Sequence, residues 1–345
     1  MHMSDALLSP AVGGTFWAIS GGLIAWSVKK TALDQDGRKT ALMGVLGAFV
    51  FAAQMINFTI PGTGSSGHLG GGLLLTVLLG PWRAFIALAS VLVIQCLFFA
   101  DGGVLALGCN IFNLAFFPAF VAYPFLYRTI AGNPLSSGRL GPASVIAATA
   151  GLLMGACSVV IQTTASGISA LPFGTFLLFM LPIHLAIGIV EGLVTWAVVA
   201  FAAKAEPSIL DMQHDSGKRS ALVPAVFVLV ALLTGGVLSW FASSYPDGLE
   251  WSMAKTSGME ELEGRDAPLH SKLSSIQEKL AFLPDYGFRP SAETAGSQEI
   301  SATENPVNPG TSISGIAGSI MVLILAGAAG MLIRSSVHRT ENAGE

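Results

Sequence analysis

What most constrains this chain is a series of apolar stretches long enough to cross a bilayer. Several reach the roughly 20 residues that an α-helix needs to span the hydrocarbon core, and few charged residues fall inside them. Lipid offers no partner to a backbone N–H or C=O, so such stretches must satisfy their own hydrogen bonds as helices. Composition agrees: 52% of the 345 residues are hydrophobic and 11% charged, against roughly 25% charged in a soluble domain. The mean hydropathy is +0.66. The expected fold class is an all-α membrane protein, a polytopic bundle in the cell (inner) membrane.

About nine transmembrane helices are read, near 12–28, 41–58, a short one at 69–79, 84–100, 104–127, 142–164, 173–203, 222–241 and 313–333. Lys29, Lys30, Arg38 and Lys39 follow the first, Arg83 the third, and Arg128 and Arg139 the fifth. Lys204, Lys218 and Arg219 follow the seventh, Arg334 and Arg339 the ninth. Short cytoplasmic connections collect Lys and Arg, so every second connection is expected inside, with the N-terminus outside and the C-terminus cytoplasmic. The remaining cations, Lys255, Arg265, Lys272, Lys279 and Arg289, sit in one long segment expected outside.

Three parts are expected. Residues 1–204 form a membrane domain, and 205–220, with Pro207, His214, Asp215 and Lys218, a cytoplasmic linker. In 221–345 two helices flank an external loop at about 243–312, whose eleven acidic and five basic residues give a local charge of −6. That charge either concentrates cations at the outer surface or simply keeps the loop solvated. Cys96, Cys109 and Cys157 have unrelated spacings, so no disulfide framework or cysteine metal motif is expected.

The start, Met1-His2-Met3-Ser4-Asp5, carries a chemical possibility. No basic segment and cleavage site mark a signal peptide, and the bulk of His2 disfavours removal of Met1. A histidine directly after a free amine can offer one metal three nitrogens: the amine, the intervening amide and imidazole Nδ1. The two chelate rings force these towards one plane, the preference of Ni(II) or Cu(II) rather than zinc or magnesium. A fourth nitrogen could come from His68, in the glycine-rich stretch 57–72. Its Pro61 and glycines allow irregular backbone at membrane depth, provided it is buried in protein or lines a cavity. The other reading of His68 is an external loop histidine.

Asp101 could neutralise a nearby cation or orient a ligand histidine, or else face water at a helix end. Asn110 and Asn113, three apart on one helix, are expected to hydrogen-bond across the bundle, and Asn110, like Asp101, is a candidate to support the metal ligands from behind. His184 and Glu191 share a helix face two turns apart, as a relay or as interhelical contacts. No His-Glu-x-x-His, phosphate-binding loop or Gly-x-Ser-x-Gly is present, so an enzyme is not expected. Neither an organic cofactor nor a nucleic-acid partner is expected; the lipid bilayer is.

The segments 1–10, 62–71, 79–82, 100–113 and 185–192 resemble those of the CbiM/NikM family. These are the substrate-binding membrane subunits of energy-coupling-factor importers for nickel and cobalt. Tyr245-Pro246-Asp247-Gly248-Leu249-Glu250-Trp251 and 283–287 resemble the small CbiN/NikN-type partner, here fused in one chain. The resemblance implies a square-planar site of four nitrogens from Met1, His2 and His68, with Ni(II) as transported substrate and Co(II) the alternative. It also implies separate ATPase subunits and a transmembrane coupling protein as partners. Asp101 before two glycines, where cobalt-type relatives tend to have histidine, and Leu69 without a following proline lean the reading to nickel. The rivals are a membrane metal sensor or scaffold and a self-sufficient secondary transporter, though no internal repeat supports the latter.

Overall fold

The computed structural model describes residues 1–34, 36–132, 135–210, 221–259, 268–289 and 309–342. Positions 211–220 of the expected linker, with His214, Asp215, Lys218 and Arg219, lie outside the described residues. So do 260–267, with Arg265, and 290–308 of the expected external loop.

In chain order the elements are α1 (Pro10–Leu33), α2 (Gly37–Gln54), β1 (Phe58–Ile60), β2 (Ser65–Gly67), α3 (Gly72–Leu79) and α4 (Pro81–Phe99). Next come α5 (Leu107–Ala131), α6 (Leu140–Ser166) and α7 (Phe173–Ala205). The chain continues through α8 (Leu222–Gly236), α9 (Gly248–Ser257), α10 (Pro268–Leu280) and α11 (Pro309–Asn342). Among the described residues six helices, α1, α4, α5, α6, α7 and α11, are long and apolar enough to cross a membrane. The other three expected spans are shorter: 18 residues in α2, 15 in α8 and 8 in α3.

Local chemistry sets the boundaries. Pro10 opens α1 behind Ser9, whose Oγ accepts from the Val12 N–H at 3.4 Å. Asp36 caps α2 by accepting from the Arg38 and Lys39 N–H groups at 3.1 and 3.0 Å. Within α5, Pro118 and Pro124 lack the N–H an α-ladder needs, and Phe112–Tyr127 runs with π-helical spacing. Gly80, at φ +81°, makes the sharp turn between α3 and α4.

One end of the bundle is tied by Arg83 at the start of α4. It is buried, with Nη1 2.6 Å from Asp34 Oδ2 and Nε donating to Thr40 Oγ1 at 3.0 Å. The α1–α2 connection and the α3–α4 turn therefore share that end. From it α3 rises only about 12 Å, and the other half of its path is the irregular chain 68–71, of which Gly70 and Gly71 are buried against Val50 of α2, Leu114 of α5 and Glu191 of α7.

Helix α7 shows two faces. Leu178, Leu185, Ile189 and Leu193 are exposed apolar residues, whereas His184, Ile187, Gly188 and Glu191 are buried. Small residues let α6 approach closely, since a Cβ on Gly192 would sit 2.4 Å from Val145 Cα.

Candidate metal site

The first nine residues enter the bundle instead of lying over it. Met3, Leu7 and Leu8 are fully buried. Asn110 clamps the backbone of Met3: Oδ1 accepts from the Met3 N–H at 2.8 Å, and Nδ2 donates to the Met3 carbonyl at 3.2 Å. The Gly103 N–H donates to the same carbonyl at 2.9 Å. Asp5 accepts from the Ala106 N–H at 2.9 Å, just ahead of α5. Gly103 has to be glycine here, because a Cβ would lie 1.9 Å from Asp5 Oδ1. Asn110 thus acts on the N-terminal backbone, a different role from the expected bond across the bundle. Asn113 does reach across, exchanging hydrogen bonds with Gln162 of α6 at 2.8 and 2.9 Å.

His68 is fixed from the other side. It follows the β1–β2 hairpin, in which Phe58 pairs with Gly67 and Ile60 with Ser65. The next turn is held at both polar atoms of Gly70, whose N–H donates to Glu191 at 2.8 Å and whose carbonyl accepts from Gln54 Nε2 at 2.8 Å. Gln95 donates in turn to Gln54. His68 Nδ1 faces the Leu69 carbonyl at 3.1 Å. A carbonyl only accepts, so the proton sits on Nδ1 and Nε2 presents a lone pair.

That Nε2 lies 3.3 Å from the Met1 amine, and the His2 and His68 rings stack with centroids 5.1 Å apart. Burial, reinforced by the charged amine, pushes the imidazole pKa of His2 down to about 3 and that of His68 to about 4. Both rings are therefore neutral donors. His2 Nδ1 stands 3.3 Å from Asp101 Oδ1, and Asp101 Oδ2 accepts from the Tyr286 hydroxyl at 2.6 Å. Among the described residues no three His, Cys, Asp or Glu side chains alone form a metal cluster; the terminal amine adds a third nitrogen-bearing group beside the two histidines.

A further carboxylate at this centre comes from the C-terminal part of the chain. Asp247 Oδ1 caps α9, accepting from the Leu249 and Glu250 N–H groups at 2.8 Å each, while Oδ2 is 3.1 Å from the Met1 amine. Burial opposes its ionisation, yet the amine and His68 hold its carboxyl well below the usual range. Glu250 closes a capping box on the Asp247 N–H at 3.0 Å. The Asp-Gly-Leu-Glu run carries the sequence signature of such a box, but nothing local tells which cation the second oxygen meets. The preceding segment lies along the hairpin, with Ser243 N–H on the Asn57 carbonyl at 2.7 Å and Ser66 N–H on the Pro246 carbonyl at 2.8 Å. Gln277 of α10 donates to the Gly102 carbonyl at 2.7 Å, and His270 Nε2 meets the Leu8 carbonyl at 3.0 Å. Outside the centre opens a cavity of about 990 Å³, lined in part by His2, His68, Asp101, Asp247, Glu250 and Asp285.

The two duties of Asp247 are separable. Asp247→Asn keeps a good capping side chain and is expected to leave the thermal midpoint near that of the native protein. Asp247→Ala is expected to cost about 1 kcal/mol. Thermal unfolding of the two variants side by side checks this, and equal loss in both would place the stabilising role in the ion pair with Met1 instead of the cap.

Fold and centre together define a multi-pass helical membrane protein with a buried cluster of nitrogen donors and carboxylates facing an acidic cavity. Residues 2–209 match the family described as cobalt uptake substrate-specific transmembrane region, and residues 221–335 match the PDGLE domain. The chain belongs to the CbiM family and carries a fused PDGLE domain. A putative fused nickel transport protein of Archaeoglobus fulgidus is 34% identical, the match covering 94% of this chain and 96% of that one. A probable fused nickel transport protein of Lactiplantibacillus plantarum is 30% identical over 99% of both chains. A cobalt transport protein of Sorangium cellulosum is 29% identical, over 61% of this chain and 95% of its own. A crystal structure of a transition metal transporter superposes with a TM-score of 0.53 at 30% identity, covering 61% of this chain and 97% of that one.

Proposed function

We propose that this protein is the substrate-binding membrane component of an energy-coupling-factor importer, taking Ni(II) from the outer face into a planar site of four nitrogens. The donors are the Met1 amine, the His2 amide, His2 Nδ1 and His68 Nε2. Co(II) is the alternative cargo. The observation that carries the reading is the 3.3 Å approach of the His68 Nε2 lone pair to the Met1 amine, with the His2 ring stacked beside it. Loading requires His2 Nδ1 to leave Asp101, and both Asp101 and Asp247 then offset the charge of the ion. The N-terminus faces outward, and separate ATPase subunits with a transmembrane coupling protein drive release inside. Metal-transport relatives and the family membership support this reading.

Titration of the purified protein with Ni(II) and Co(II), followed by optical spectroscopy, tests it. A planar Ni(II) centre gives a d–d band without the weak octahedral pattern. The pH dependence is sharper still. Both imidazoles are already neutral, so binding releases protons from the amine and the amide alone. Affinity is expected to fall about a hundredfold per pH unit on acidification, two protons for each ion. A slope near four protons would mean the histidines also start protonated; a slope near zero would remove amine and amide from the ligand set. Accumulation of nickel in vesicles that lack the ATPase would favour a secondary transporter instead.

A further inference from the structure

Beside the centre, against α7, lies a second, much smaller pocket of about 10 Å³, lined in part by Met1, His68, Asp247, Gly248, Ile187 and His184. It has room for about one water or one bare ion. His184 projects into it from α7 and is 1% exposed. Its Nδ1 lies 2.8 Å from the Met180 carbonyl of its own helix. The proton is therefore on Nδ1, which leaves Nε2 a lone-pair donor, and that atom is buried without a partner. A buried, unpaired polar atom is costly and calls for an explanation. Glu191, on the same face of α7, accepts from the Gly70 N–H at 2.8 Å. Gly248 of the PDGLE domain roofs the pocket so closely that a Cβ there would stand 3.2 Å from His184 Cε1.

We propose that His184 is the entering nitrogen that displaces His68 when the captured metal moves inward. The proposal rests on the four-nitrogen reading given above. A planar four-coordinate ion exchanges ligands associatively: the incoming donor bonds first, above or below the plane, and the outgoing one leaves afterwards. Here the Nε2 lone pair of His184 forms the new bond, and the bond to His68 Nε2 breaks with its electron pair returning to His68. One neutral imidazole replaces another, so no proton or net charge moves. His68 is then released with its glycine-rich loop, while Met1 and His2 still hold the ion beside α7.

A residue that lowers an exchange barrier changes loading and release alike and leaves the equilibrium in place. In the purified full chain, His184→Ala and His184→Gln are each expected to slow appearance of the planar Ni(II) band on mixing. Its loss into excess chelator should slow equally, both by about tenfold or more, with Kd within about threefold of native. Glutamine keeps the size and polarity of the site, so it is read alone where alanine fails to fold. Unchanged rates in a folded variant overturn the proposal, and so does weakened affinity with faster release, which marks a static support. A native protein that binds nickel without the planar band removes the four-nitrogen reading itself, and the proposal with it.

Discussion

Replacing His2 with alanine is expected to raise the Kd for Ni(II) by at least a hundredfold, roughly, as measured by titration of the purified protein. Loss of groups that merely orient a ligand costs about 10–100-fold in metal affinity, and in the proposed site His2 is itself a ligand. Without its ring the six-membered chelate ring is lost, the amide keeps a neighbouring donor only in the amine, and the planar set falls from four nitrogens to three. The fold should not suffer in parallel. His2 contacts the His68 ring and Asp101 at the edge of the outer cavity, whereas the neighbouring Met3 backbone is held separately by Asn110 and Gly103. A native thermal midpoint with lost binding is therefore the expected pair of results; an affinity within threefold, roughly, of native would exclude His2 as a ligand.

The second large effect concerns position rather than identity. One residue added before Met1 puts the histidine third, where the amine, two amides and the imidazole can satisfy a planar ion without outside help. The native amine is seated between His68 Nε2 and Asp247, with the Met1 side chain buried beneath Gly155. The extended chain cannot occupy the same seat. Its nickel affinity should fall, and the binding that remains should no longer depend on His68. In the native protein His68→Ala is expected to cost about a hundredfold; in the extended protein, less than about threefold. Titration of the four proteins forms a cycle, and an undiminished His68 effect after extension would count against amine ligation.

The sequence carries the apolar periods of α1, α4, α5, α6, α7 and α11 directly, because lipid leaves a long apolar stretch no other way to satisfy its backbone. The short α3 is harder to read. Its missing half is irregular chain held by Gln54 and Glu191, and hydropathy cannot register hydrogen bonds between distant residues. His2 and His68 stood out because of chemistry at the chain start and the glycines around the loop. Asp247 and Tyr286 did not, since each reaches the centre through tertiary docking from more than 180 residues away in sequence. Asn110 was legible as a buried polar residue, but its partner, the backbone of Met3, was not.

The segment that lies along the hairpin, Ser243 to Pro246, has a consequence for assembly. It meets the membrane domain through a few backbone and hydroxyl hydrogen bonds, including the Ser66 hydroxyl on the Tyr245 carbonyl at 2.7 Å. As a free subunit, the same segment would first have to meet the membrane domain by diffusion in the plane of the membrane. Joined in one polypeptide, the two halves face each other at an effective concentration in the millimolar range or above. Each copy then carries its own Asp247, in fixed one-to-one proportion, whatever the expression level.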